Sequence, residues 1–298
     1  MGDRPGRPHL QGCQGLGAHV TGPSFRAPPG CTDCHFHIFG PRARYPLHPE
    51  RQYTPPEASI GEYEAMAAML GIERMVVVQP SIYGTDNRCT VDAVAAFGQE
   101  RARAVAVVDE STTATGLRKL HEAGVRGVRF NAVSGNGTPL AQLQTLARRI
   151  APLGWHVQIY AGGAQLAEFA ASLAALRLPV VIDHMGGVAG DKGVDHPQFR
   201  ALLRLIEGGR AWVKLSAYRH SMADHPFADM APMAKALVAA AVERCLWGTD
   251  WPHPDYKRAL PDDGALFDLL GAWVPEEAKR RQILVENPAV LYGFPPLV

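Results

Sequence analysis

Apolar positions along this chain follow two rhythms that take turns. Short runs rich in valine, isoleucine and aromatic residues recur at residues 32–39, 74–79, 103–108, 125–131, 155–160, 179–183, 211–215 and 244–248. Each has the length and composition of a buried strand. Between them, alanine and leucine return at helical spacing, as at 60–70, 142–150, 164–176, 199–206 and 232–242. Gly71, Gly98, Gly124 and Gly154 stand where those helices should stop, a few residues before the next strand. Eight strand–helix units in succession predict an α/β protein built as a single (β/α)8, or TIM, barrel, with helices outside and strands buried on both faces. The competing architecture, a doubly wound open sheet, would carry a glycine-rich phosphate loop after an early strand; neither G-x-G-x-x-G nor a P-loop is present. Residues 1–30 are broken by glycine and proline and read as an irregular N-terminal arm, leaving 31–298 as the barrel.

Composition narrows the partners. Lys and Arg number 30 against 29 Asp and Glu, a net charge of +1, which gives no field to draw in nucleic acid or an anionic membrane. No apolar run nears the ~20 residues of a bilayer span, and the first thirty residues lack a secretory pattern, so the expectation is a soluble cytoplasmic protein. Five scattered cysteines, Cys13, Cys31, Cys34, Cys89 and Cys245, suit a reducing compartment. Cys31 and Cys34 form a C-x-x-C, but at the start of a strand two residues three apart face opposite ways, and they read as ordinary thiols. No oligomeric state follows from the sequence.

In a parallel barrel the chemistry sits where strands end and βα loops begin. The first run delivers Asp33, His35 and His37, alternate residues expected on one face. The others deliver Gln79 and Ser81, Arg129 and Asn131, Tyr160, Asp183 and His184, Lys214 and Ser216 with Arg219 beyond, and Asp250 with His253. A lone His or Asp at such a place is as a rule a hydrogen-bonded structural group. Their gathering on one rim points to a convergent polar pocket, because burying so many without partners costs roughly 1–3 kcal/mol each.

Four segments carry a family resemblance: Asp33-Cys34-His35-Phe36-His37, Gly127-Val128-Arg129-Phe130-Asn131, Asp183-His184-Met185-Gly186 and Trp247-Gly248-Thr249-Asp250-Trp251-Pro252-His253-Pro254. Together, over roughly 31–294, they resemble the amidohydrolase superfamily and, within it, the 2-pyrone-4,6-dicarboxylate lactonases. The resemblance implies a hydrolase of aromatic-compound catabolism that opens a small carboxylated lactone without a metal. Asp250 would act as general base on water, and His35, His37 and His184 would polarise the carbonyl. For that, Asp250 would need burial beside Trp247 and Trp251 or a perturbing neighbour. Carried over by position, Arg129 and Arg219 would hold substrate carboxylate, with Ser81, Tyr160 and Tyr53 completing the pocket; the bland alternative for either arginine is a salt bridge to a nearby Asp. Asn87 and His253 are further substrate-binding candidates.

On the metal, two-metal members of the superfamily bridge their ions with a Lys or Glu where this chain has Arg129, and take a His where it has Tyr160. A guanidinium cannot ligate. His35, His37, His184 and Asp250 would still be enough for a single zinc ion. One departure from the lactonase pattern stands out: its Lys-Arg pair after the fourth strand is replaced here by Ser134-Gly135. Asn87, Arg88, Lys214 or His220 are candidates to compensate, or the substrate carries fewer carboxylates. The long segment 41–59 is either a lid over the barrel mouth or a loop packed by its own Tyr and Pro residues. Rival readings are a zinc-dependent decarboxylase of the same superfamily, a sugar-acid lactone hydrolase or isomerase, and a non-catalytic binder.

Overall fold

A computed structural model describes residues 22–134 and 137–297. Most of the 1–30 arm, Cys13 and Gly135 therefore lie outside the described residues. Eight strands, β1 (Thr32–Phe36), β2 (Arg74–Val78), β3 (Ala102–Ala106), β4 (Val125–Asn131), β5 (His156–Tyr160), β6 (Val180–Ile182), β7 (Ala211–Leu215) and β8 (Cys245–Trp247), form one sheet in sequence order, every pair parallel. Closure comes from the strand ends. The Asp250 N–H donates to the His35 carbonyl at 2.8 Å or less, and the His37 N–H donates to that of Trp251 at 2.8 Å, beside a parallel bridge between Phe36 and Trp251. The result is the expected (β/α)8 barrel.

Around it run α1 (Ile60–Leu70), α2 (Arg88–Phe97), α3 (Ala114–Glu122), α4 (Leu143–Ile150), α5 (Gly163–Ala174), α6 (Pro197–Glu207), α7 (Ala231–Ala241) and α8 (Asp263–Trp273). α1 shows how the sequence sets its ends. Ser59 and Glu62 make a reciprocal capping box at the start, and Gly71, at φ +73°, supplies the left-handed stop. The spacing analysis does not single out α2, α3 or α8. α3 buries only Leu117, and α8 buries residues on most of its surface, so neither shows a clean apolar stripe.

Side chains separate into two apolar layers. Inside the barrel, Cys34, Val76, Val78, Val105, Val181, Trp212 and Leu246 pack together, and Tyr292 and Phe294 plug the end where the strands begin. Arg103 and Arg74 hold that plug by donating to the carbonyls of Tyr292, Gly293 and Pro295. Outside, the strands meet the helices, as where Phe36 stacks on Tyr63 of α1 with ring centroids 3.6 Å apart. Cys31 belongs to this outer layer and Cys34 to the inner one, as expected of thiols three apart, and both are free and buried.

β1 departs from simple alternation. A register irregularity between Asp33 and Phe36 turns both Cys34 and His35 inward. Asp33 therefore does not share a face with His35 and His37. Its carboxylate accepts from Tyr63 of α1 and from Thr249, beyond β8. The first run also ends as strand at Phe36 rather than residue 39, because from His37 onward the chain pairs with Trp251 and then Ala58. No helix among the described residues is long and apolar enough to cross a membrane.

Candidate active site

At the end of the barrel where the strands finish, four predicted side chains converge. His35 and His37 leave β1, His184 follows β6, and Asp250 follows β8, all of them at most 2% exposed. His35 Nε2 lies 3.6 Å and His37 Nε2 3.5 Å from Asp250 Oδ1, and His184 Nε2 lies 3.9 Å from Oδ2. Asp250 (φ +60°) and His184 (φ +49°) both adopt left-handed backbone, which a non-glycine residue keeps only when its surroundings impose it. For Asp250 the imposing contact is its own N–H on the His35 carbonyl, which ties the two catalytic candidates together.

The imidazoles are not equivalent. His37 Nδ1 sits 2.7 Å from the Val78 carbonyl, which can only accept, so Nδ1 carries the proton and Nε2 presents a lone pair. Two acceptors, His37 Nε2 and Asp250 Oδ1, therefore face each other at a distance that calls for a hydrogen or cation between them. His184 Nδ1 pairs with Ser216 Oγ at 2.8 Å. Burial, with Lys214 alongside, pulls His35 down to about 3, and burial likewise lowers His37 and His184, so all three rings are neutral at ordinary pH.

Asp250 departs from the expectation that a general base is tuned upward. Neither Trp247 nor Trp251 supplies the perturbation; their rings pack on Phe267 and Tyr63. Burial pushes the carboxyl up, but the Arg219 guanidinium and the facing imidazoles outweigh it and hold the group well below the usual carboxylate range. Arg219 Nε donates to Oδ2 at 2.7 Å, its Nη2 donates to the same oxygen, and so does the Tyr218 hydroxyl. Arg129 is likewise paired, with Nε 3.3 Å from Asp183 Oδ2, and it packs beside the Tyr160 ring. Both arginines thus line the pocket while already bonded to a carboxylate.

The cavity over Asp250 measures about 110 Å³, and His37, His184, Arg129, Arg219, Tyr160, Tyr53 and Ser81 are among its walls. Tyr53 bonds to Ser81. Two substrate-binding candidates stand elsewhere. Asn87 precedes α2, where its amide is spent on the carbonyls of Thr85 and Val107 and on the Val107 N–H. His253 lies one turn beyond Asp250, turned toward α8 with Nε2 3.1 Å from Asp263 and its ring edge-on to Tyr218. Of the other proposed replacements for the missing arginine, Arg88 pairs with Asp86 at the exposed surface, Lys214 lies beneath the cavity, and His220, near Tyr160, is lowered to about 4 by burial and Arg219. Among the described residues no further cation takes that place.

Sequence reasoning missed two contributors. Tyr218 reaches Asp250 from the turn after β7, and Gln52 roofs the cavity from the long first loop, together with Tyr53. That loop is tied down by Tyr45 to Asp92, Arg42 to the Pro55 carbonyl and the His48 N–H to Ile82. Asp183, expected at its strand end but given no role there, gathers Arg129, Gln158 and Lys214 beneath the cavity. An interior lysine on a barrel strand was the signal for that cluster.

A divalent cation can be tested against this donor set. His35 Nε2, His37 Nε2 and Asp250 Oδ1 all lie within 4.8 Å of one another, and the 3.5–3.6 Å separations to Oδ1 match what neighbouring zinc ligands show at bonds of about 2 Å. The donors fit. The charge is less accommodating, because Asp183 and Asp250 already face Arg129, Lys214 and Arg219.

The chain is 41% identical over 287 residues to a 2-pyrone-4,6-dicarboxylate hydrolase of Comamonas testosteroni, covering 92% of this chain and 94% of that one. It is 39% identical over 287 residues to a 4-sulfomuconolactone hydrolase of Hydrogenophaga intermedia, covering 94% of each. A D-galactarolactone isomerase of Agrobacterium fabrum is 34% identical, over 93% of this chain and 96% of its own. Residues 32–294 match the sequence model of the amidohydrolase family, and with His35, His37, His184 and Asp250 gathered at the mouth of its barrel, the chain belongs to that family.

Proposed function

We propose that the protein hydrolyses a small carboxylated lactone with a water activated by Asp250. The observation that carries this reading is one carboxylate with three neutral imidazoles 3.5–3.9 Å from it, at the base of a cavity that His37, His184 and two guanidinium groups line. Water supplies the hydrogens that the facing acceptors need. One O–H points to His37 Nε2 and the other to Asp250 Oδ1, leaving an oxygen lone pair aimed into the cavity. Asp250 takes the second proton as the oxygen adds to the lactone carbonyl carbon. We assign the carbonyl side, where negative charge develops, to His184 in the cavity wall and to His35 beneath it. The ring C–O bond then breaks, and the leaving ring oxygen recovers the proton from Asp250, giving an open-chain carboxylic acid that releases the water's remaining proton to solvent as its carboxylate. His37 thus serves the water, not the carbonyl, in contrast to the expectation of three equivalent donors.

The relatives act on a pyrone dicarboxylate, a sulfomuconolactone and a galactarolactone, and the first two names describe acidic unsaturated rings. Arg219 and Arg129 suit such substrates, because a guanidinium fork meets a carboxylate or sulfonate with parallel hydrogen bonds. A ligand carboxylate that engages Arg219 also draws it from Asp250 and restores basicity there. A cation held by His35, His37 and Asp250 would supply Lewis-acid polarisation of the carbonyl. The existing excess of buried positive charge favours hydrolysis without one. We place the reaction in the cytoplasm, in keeping with four buried free thiols among the described residues.

The test is a panel of lactones, acidic aromatic-derived and sugar-derived, assayed with and without a chelator on wild type and Asp250→Asn. Hydrolysis of the acidic rings that survives chelation and vanishes in Asp250→Asn, with substrate binding still measurable, supports the reading. Near wild-type kcat in that variant rejects it. Activity lost to the chelator and restored by zinc rejects the metal-free route.

A further inference from the structure

Lys214 is not part of the mechanism above. It lies on β7 with its side chain 1% exposed, under the cavity rather than in its wall. Its Nζ is 3.2 Å from His35 Nδ1 and 3.4 Å from Asp183 Oδ1. A lysine so buried needs a counter-charge, and Asp183 supplies it while its other oxygen accepts from Gln158 Nε2 at 3.1 Å and Arg129 Nε at 3.3 Å.

An ammonium group has hydrogens to give and no lone pair, so the ring nitrogen it touches must accept. The competing arrangement, His35 Nδ1–H donating to Asp183, has a short enough separation of 3.3 Å, yet Asp183 Oδ1 receives no hydrogen bond. A neutral imidazole whose Nδ1 accepts carries its proton on Nε2. That Nε2 is buried, has no protein hydrogen-bond partner, and faces Asp250. A buried donor left unpaired is costly unless something arrives to accept from it.

We propose that Lys214 is a positioning residue that fixes His35 as the Nε2–H tautomer, making the ring a donor to the developing oxyanion and withdrawing its lone pair from any metal ion. The inference rests on the lactonase reading for the oxyanion and on geometry alone for the tautomer. It also gives the His-x-His pair a division of labour. The Val78 carbonyl fixes His37 with a bare Nε2 toward the water, and Lys214 fixes His35 with a protonated Nε2 toward the carbonyl.

The experiment uses the full-length, metal-free protein with 15N-labelled histidine. Long-range 1H–15N spectra report which ring nitrogen is protonated, and His35→Gln assigns the His35 signals. The expected wild-type result is a protonated Nε2 and a bare Nδ1. In Lys214→Met the ring should switch, with Nδ1–H donating to Asp183. The variant should then bind zinc, titrated alone, at least about tenfold more tightly. Its kcat on the best lactone should fall by about 10²–10³ with KM little changed, the cost of losing one oxyanion donor. A wild-type His35 protonated at Nδ1, or an unchanged tautomer in Lys214→Met, overturns the proposal. If the variant does not fold, the wild-type spectrum still decides. Because that spectrum needs no substrate, failure of the lactonase reading and failure of the tautomer assignment are separate results.

Discussion

Asp250 is held by its neighbours in a state poorly suited to accepting a proton. Burial alone would raise its carboxyl; Arg219 and the imidazoles reverse that and leave it ionised well below the ordinary value of 3.8. His35, pulled down by burial to about 3, does not gain a proton near neutrality either. For the free enzyme, the three histidines should therefore give kcat/KM no step across about pH 5 to 8, where the group that titrates is Asp33, raised by burial to about 7, and activity should fall further when Asp250 is protonated in stronger acid. Arg219→Gln removes the largest lowering influence. Burial then dominates, and the acid limb should move upward while KM for acidic lactones rises. A pH profile of kcat/KM on wild type and variant checks this; an unmoved acid limb would mean that Arg219 does not set the basicity of Asp250.

At the scale of elements, β1 and the turn after β8 act as one piece, and Asp33 joins them. One of its oxygens accepts the backbone N–H groups of His35 and Thr249, and the other accepts the hydroxyls of Thr249 and Tyr63. Asp33→Asn keeps a carbonyl oxygen for the two N–H groups, and the hydroxyls can rotate to accept from its amide. Asp33→Ala strands two buried N–H donors, at about 1–3 kcal/mol each. Thermal unfolding should show a small loss of Tm for Asn and a much larger one for Ala, with activity falling in step as the Asp250 turn loosens; equal losses would sink this account. The strand–helix alternation was plain in the sequence because each element repeats one period over many residues. The inward turn of both Cys34 and His35 was not, because a bulge adds no apolar signature. The approach of His35, His37, His184 and Asp250 was legible from their places at strand ends. The pairing of Arg219 with Asp250, the diversion of Asn87 into structural hydrogen bonds and the packing of His253 against Tyr218 and Asp263 depend on loop geometry that no residue spacing encodes.

For the molecule as a whole, a net charge of +1 leaves recognition of an acidic ring to local groups at the barrel mouth. Those groups are Arg129 and Arg219, both shared with internal carboxylates. Where the lactonase pattern has a Lys-Arg pair, this chain has Ser134-Gly135, and Ser134, whose buried hydroxyl has no protein partner, stands in the cavity wall. A second carboxylate directed at that wall would meet a neutral hydroxyl instead of a cation. The protein should accordingly favour lactones with a single strongly acidic substituent, and Ser134→Arg should restore a preference for two. A charged hydrogen bond of about 1.5–3 kcal/mol corresponds to roughly a 10–100-fold gain in kcat/KM for a dicarboxylated lactone over its monocarboxylated analogue. Because the added cation would contact a group remote from the reacting carbonyl, the gain should appear in KM, with kcat steady. Measuring both constants for matched substrates on wild type and Ser134→Arg decides the matter: a ratio that does not move would place the second carboxylate on a different wall, leaving the two paired guanidinium groups as the cations among the described cavity residues.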